Sequence, residues 1–204
     1  DLTTAIDMEP TANRYNLVGV SLARMGRPNE AIDAYGESIR LDPTLVYPYF
    51  NRGLERYHQD QYELAIADYS AAIGLEPDYG SAYYQRGLVH YQMENFGRSQ
   101  SDLEKAVELY PRANVYNLFG LSLDQQGEAE RALEAFESAV DLDPEYIYPY
   151  FNMGTIYARN GEISWAIDSY SIAIEIDPNY VAALNDRGHA YNRLGQFELA
   201  LLDY

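Results

Sequence analysis

Cysteine is absent from this 204-residue chain, which removes disulfides, thiolate metal ligands and thiol nucleophiles together and leaves the redox compartment open. Lysine occurs once, at Lys105, so every other cation among the 14 is an arginine, set against 32 acidic residues. The net charge of −18 repels nucleic acid and anionic lipid, and protein or peptide partners that are basic, polar or neutral fit it better. No apolar run reaches the roughly 18 residues of a membrane span, and no charged segment followed by an apolar stretch opens the chain. Membrane insertion is not expected. No Asn is followed two positions later by Ser or Thr, so no N-glycosylation acceptor argues for secretion. The compartment stays open on these grounds, with the cytoplasm favoured.

Catalytic signatures are missing as well. The three histidines, His58, His90 and His189, stand far apart in sequence, and neither HExxH nor a phosphate-binding glycine loop is present. Glu55 and His58 have the E-x-x-H spacing of a di-iron helix, but such a site needs a second helix of the same kind and further carboxylates. Carboxylate pairs such as Glu128 and Glu130 read as solvated charge near a helix start. Neither an enzyme nor a bound metal or cofactor is expected.

What the chain does contain is a repeat. Prolines recur at Pro10, Pro43, Pro77, Pro111, Pro144 and Pro178, with spacings of 33, 34, 34, 33 and 34. Glycines keep the same register at Gly19, Gly53, Gly87, Gly120, Gly154 and Gly188, and small residues do so at Ala31, Ala65, Ser99, Ala132, Ala166 and Ala200. Three series in one register identify a tandem array in which each unit buries its apolar face against the next. The segments ANRYNLVGVSL (12–22) and ANVYNLFGLSL (113–123) match at an offset of 101, and YPYFN occurs at 47–51 and again at 148–152. A triplet of units has been duplicated, giving the order 1-2-3-1-2-3.

Apolar spacing of three and four residues predicts two helices per unit. First helices are expected near 12–25, 46–59, 80–93, 113–126, 147–160 and 181–194, and second helices near 28–41, 62–75, 96–109, 129–142, 163–176 and 197–204. Gly26, Gly127, Gly161 and Gly195 are placed to take the positive φ of the turn between them, with Asp60 and Glu94 in the same place in the other two copies. The first and fourth links are one residue shorter than the others, which must shift how the following helix begins. Residues 1–9, DLTTAIDME, align with 102–110 and read as the end of a preceding repeat's second helix. Residues 10–204 read as one array with units at about 12–45, 46–79, 80–112, 113–146, 147–180 and an incomplete 181–204, an excerpt of a longer chain.

The pattern in GSAYYQRGLVHYQMENFGRSQSDLEKAVELYP, and more fully in YFNMGTIYARNGEISWAIDSYSIAIEIDP, resembles the tetratricopeptide repeat (TPR) family. The resemblance covers essentially the whole chain. It implies an all-α fold, a right-handed superhelical solenoid of tandem helix–turn–helix units, whose concave face is lined by the first helices and binds an extended peptide or a partner's helix. The family as such has no catalytic activity.

On that face the aromatic side chains Tyr47, Phe50, Tyr57, Tyr84, Tyr91, Tyr148 and Phe151 are candidate peptide contacts, with Arg159 and Arg193 as polar ones. The competing reading is that Tyr47 and Tyr148 cover the preceding repeat. Asn16, Asn51, Asn117, Asn152 and Asn185 resemble the asparagine ladder by which some TPR proteins hold a peptide backbone, and the alternative is that they hydrogen-bond within the stack. The face is expected to be mildly positive, with Arg24, Arg159 and Arg193 against Asp124, and His58 and His189 are placed to make binding sensitive to pH. The carboxylate clamp of chaperone adaptors needs groove lysines. Here Ser81 and Tyr148 stand where a clamp cation would be, which argues against chaperone C-terminal tails as partners. The leading expectation is a protein-interaction scaffold gripping a peptide in its groove. The alternatives are the recognition arm of a larger enzyme and a self-associating assembly unit whose exposed terminal repeats stack end to end.

Overall fold

In the computed structural model, which describes residues 11–204, the chain forms twelve helices and no strand among the described residues. They pair as α1 (Ala12–Arg24) with α2 (Pro28–Leu41), α3 (Val46–His58) with α4 (Tyr62–Leu75), α5 (Gly80–Gln92) with α6 (Phe96–Leu109), α7 (Ala113–Gln125) with α8 (Ala129–Leu142), α9 (Ile147–Asn160) with α10 (Ile163–Ile176), and α11 (Val181–Arg193) with α12 (Phe197–Asp203). The expected helices are therefore present to within a residue at each end. The expectation for residues 1–9, and Pro10 with it, lies outside the described residues.

The contacts divide the chain into two units, one ending at Tyr110 and one starting at Pro111. In the first, α2 packs on α3 and α4 on α5, and the first helices α1, α3 and α5 touch in succession. In the second, α8 packs on α9 and α10 on α11, with α7, α9 and α11 touching in succession. Each unit is thus a stack of helical hairpins, an all-α repeat solenoid.

One contact recurs in every hairpin and explains two of the sequence series at once. Sixteen residues after each mid-helix glycine comes a large side chain that lies over it: Tyr35 over Gly19, Tyr69 over Gly53, Leu103 over Gly87, Phe136 over Gly120, Tyr170 over Gly154 and Tyr204 over Gly188. Five of these six side chains are buried, Tyr204 being the exception. The small residue of the second helix completes the close approach, with Ala31, Ala65, Ser99, Ala132 and Ala166 wholly enclosed.

Gly26, Gly127, Gly161 and Gly195 have φ between 71 and 85°, while Asp60 and Glu94 are held at φ 58° in the same turn, a conformation that costs a residue with a Cβ. The shorter links also have a visible consequence. Where the link is long, a turn closes it, with Leu45, Tyr79, Tyr146 and Tyr180 donating their amides to Asp42, Glu76, Asp143 and Asp177. These four residues hold φ between −73 and −78°. At the two short links the helix starts from an extended residue, Thr11 or Arg112, at ψ 151 and 152°, and in the fully described link before α7 the turn is lost.

Candidate peptide-binding face

YPYFN is where the two units carry the same candidate residues, and its five side chains divide cleanly. Pro48 points inward and is fully buried in the first turn of α3, where its missing N–H costs no helical bond. Tyr49 reaches back so that its hydroxyl donates to the Pro43 carbonyl (3.3 Å). Phe50 lies between Tyr69 and Tyr79, ring centroids 5.8 and 5.0 Å away. Asn51 donates its side-chain amide to Asn16 Oδ1 on the preceding first helix (3.1 Å). Tyr47 alone is exposed, 60%, and stands edge-on to Tyr79 at 6.1 Å.

The second unit repeats each of these relations. Pro149 is buried, Tyr150 bonds the Pro144 carbonyl, Phe151 lies between Tyr170 and Tyr180, Asn152 donates to Asn117 (2.9 Å), and Tyr148, 49% exposed, stands edge-on to Tyr180 at 6.2 Å. Tyr47 therefore braces the link that follows it, whereas Tyr148 stands between two links, edge-on to Tyr146 of the preceding repeat at 5.4 Å as well as to Tyr180. The packing alternative thus holds for Tyr148. A residue in the first turn of a helix leans towards that helix's N-terminal end, which is where the links lie.

Tyr79 and Tyr180 were not singled out from the sequence, although each sits two residues after a repeat proline. Burial pushes the Tyr79 hydroxyl up to about 12, with Tyr47, Glu76 and Tyr110 adding to it. Burial likewise raises that of Tyr180, helped by Tyr148 and Asp186.

The remaining candidates are spread along the same face. Tyr57 packs beside Tyr62 and His58, and Tyr91 lies edge-on to Phe96 at 5.4 Å. Tyr84 is half-buried on α5. The asparagines occupy two adjacent helical positions: Asn16, Asn117 and Asn185 share one, and Asn51 and Asn152 the next. Two pairs interlock between neighbouring first helices, and Asn185 is exposed. Arg159 forms a two-pronged ion pair with Asp124 on the preceding first helix, and Arg193 donates to the Ala158 carbonyl at 2.7 Å. All four inter-helix ties run between residues 35 apart, so one rule of repeat geometry sets them.

A set of charges that sequence reading passed over lies just behind this face. Asp68, nearly enclosed, accepts from Arg52 at 2.7 and 3.0 Å and from Arg56 at 2.7 Å. Asp102 accepts two bonds from Arg86, whose third nitrogen donates to Ser70 Oγ, and Asp203 and Ser171 hold Arg187 in the same way. The signal was present at the repeat's own spacing. Arg and Asp stand 16 apart in these three hairpins, where the other three have Val18/Ala34, Phe119/Ala135 and Met153/Ser169. Among the described residues no group of three or more acidic or histidine side chains is gathered to hold a metal ion, and no helix is long and apolar enough to cross a membrane.

Stacked helical hairpins, each with a large side chain packed over a mid-helix glycine, define a helical-repeat scaffold. Profiles described as TPR repeat match residues 53–94, 120–161 and 155–195, and a tetratricopeptide-repeat profile matches 12–45 and 80–112. The chain belongs to the tetratricopeptide repeat family, whose repeats are in general non-catalytic protein-interaction scaffolds. Among solved structures it is similar to MamA (41-end) from Desulfovibrio magneticus RS-1, at 26% identity and a TM-score of 0.78 over 83% of this chain and 96% of that one. YrrB, titled a TPR protein with an unusual peptide-binding site, shares its fold at a TM-score of 0.80 and 24% identity, over 94% of this chain and 97% of that one. A curated relative, the lipoprotein NlpI homolog of Haemophilus influenzae, is 36% identical over 69 residues, 33% of this chain. The match spans only 22% of that lipoprotein's length.

Proposed function

We propose that the exposed face of the first helices binds an extended or helical peptide segment of a protein partner, and that Tyr47 and Tyr148 are its principal anchors. The observation that carries this reading is the division of labour within YPYFN. Four of its side chains are committed to the fold, whereas a tyrosine is left about half exposed in both copies and is braced by a second ring. Such a ring offers a large contact area with little conformational entropy left to lose on binding, and its hydroxyl can hydrogen-bond a peptide backbone. Phe50, Phe151, Tyr57, Tyr84 and Tyr91 extend the aromatic surface. Asn16, Asn51, Asn117, Asn152 and Arg159 line it but are tied to one another or to Asp124, so their first role is to set the spacing of the helices beneath the ligand. Asn185 and Arg193 complete the polar contacts. Lysines of the carboxylate-clamp kind are absent, so the reading does not extend to chaperone tails.

The test is selection of a displayed random peptide library on the wild-type chain and on the Tyr47→Ala and Tyr148→Ala variants. A sequence motif enriched by the wild type and lost in these variants is the expected result. A motif enriched equally by all three would overturn the reading.

A further inference from the structure

The two triplets are copies, so the places where they have diverged mark where their binding surfaces differ. On the face of α9 and α11 the second unit has a cavity of about 230 Å³, floored by Tyr170 and Ala190 and walled by Thr155, Ala158 and His189. The residues 101 positions earlier are Leu54 for Thr155, Tyr57 for Ala158 and Leu88 for His189, while Tyr69 corresponds to Tyr170. Two side chains have shrunk and one has become polar. In the first unit, Leu54 and Tyr57 instead pack against the cluster of Ala65, Tyr69 and Val89.

Asp186 lines the same cavity, at the position where the first unit has the neutral Gln85. Its carboxylate is half-buried and has neither a hydrogen bond nor an ion pair within the chain, so its oxygens are left for water or a ligand. This is unusual for the family of positions it belongs to, since Asn51 and Asn152 at the same helical level are tied to the preceding helix. The other polar side chains at the cavity are already engaged. Arg193 donates to the Ala158 carbonyl, His189 Nδ1 lies 3.3 Å from the Tyr204 hydroxyl, Thr155 Oγ1 donates to the Phe151 carbonyl at 3.1 Å, and the Tyr170 hydroxyl is hydrogen-bonded to Thr155. Asp186 also acts on the aromatic cluster beside it, contributing after burial to the raised hydroxyls of Tyr170 and Tyr180. A free carboxylate beside the Tyr170 and Tyr180 rings is an arrangement that attracts a cation by charge while leaving apolar ring surface for its stem.

We infer that this cavity is a specificity pocket for one cationic side chain, arginine or lysine, of the bound peptide, with Asp186 as the residue that reads it. The inference rests on the peptide-binding reading above and deepens it. The first triplet then selects apolar or aromatic side chains, and the second adds a positive one. Thr155 and Ala158 supply the room, and Tyr170 supplies an apolar floor for the methylene stem.

The test uses a nonapeptide array with mixed residues at eight positions and a fixed centre of Arg, Lys, Leu, Phe, Asn or Asp, probed with the full chain. The wild type is expected to retain the Arg and Lys members at least about fivefold better than the Leu member, in keeping with a charged hydrogen bond. Asp186→Asn, which keeps the shape, is expected to remove that preference, and Thr155→Leu, which restores the first unit's residue, to weaken retention of the cationic members. A preference that survives Asp186→Asn, or no preference for Arg and Lys while binding still depends on Tyr148, overturns the pocket and leaves the peptide-binding reading standing. Failure of every array member to bind through Tyr47 or Tyr148 overturns both.

Discussion

The ring of Tyr69 lies so close over Gly53 that a Cβ built on the glycine would stand 2.7 Å from Cε1. Neither partner has room to yield, because Tyr69 is wholly enclosed. Gly53→Ala is therefore expected to lower the midpoint of urea unfolding, an overpacking cost of about 1–3 kcal/mol less the roughly 1 kcal/mol that alanine gains in a helix. Gly36→Ala in the interior of α2, whose Cβ would meet only Arg52 Nη1 at 3.9 Å, is expected to raise it. Equal and like-signed shifts would show that the ring contact does not set the glycine requirement.

Asp68 answers two arginines at once, and its side chain is 4% exposed. Asp68→Ala leaves Arg52 and Arg56 facing each other without a counter-charge. The expected loss is about 3–5 kcal/mol, read as a fall in the unfolding midpoint. The exposed Arg27–Glu30 pair is the comparison: Glu30→Ala is expected to leave the midpoint where it was.

His90 is buried, and its Nδ1 has no hydrogen-bond partner. Burial holds its pKa below the usual value of 6.5, with Asp102 pulling it up and Arg86 and Arg98 pushing it down. The folded state therefore binds this proton less readily than the unfolded chain does. The stability it contributes is complete above about pH 6.5 and is lost as the pH falls towards the folded value. His90→Tyr, the residue that Tyr191 supplies at the equivalent place in the second unit, is expected to flatten the decline between pH 7.5 and 5. Thermal melts of the two proteins at both pH values measure the difference, and parallel declines would assign the acid sensitivity to other groups.

Asn51 and Asn16 offer a test of what the asparagines do. A double-mutant cycle with Asn51→Ala and Asn16→Ala is expected to give a coupling of about 0.5–1.5 kcal/mol in unfolding experiments, because removing either partner strands the other. A coupling near zero would free these amides for a ligand's backbone and return them to the role the resemblance first implied.

The sequence by itself determined the fold of each hairpin. Proline, glycine and small-residue series at one period state where helices stop, where they approach and where the chain turns, and all of these are local or nearest-neighbour requirements. The tertiary structure alone decided what the exposed face offers. Whether Asn51 meets a ligand or Asn16, whether Tyr47 braces the link before or after it, and whether Asp186 is paired all depend on side chains 30 or more residues away being brought to one surface. The Arg–Asp pairs were legible in principle, because their spacing of 16 lies within one repeat. The cavity at Asp186 was not, since it exists only where two residues smaller than their counterparts, from one helix, face a third from the next.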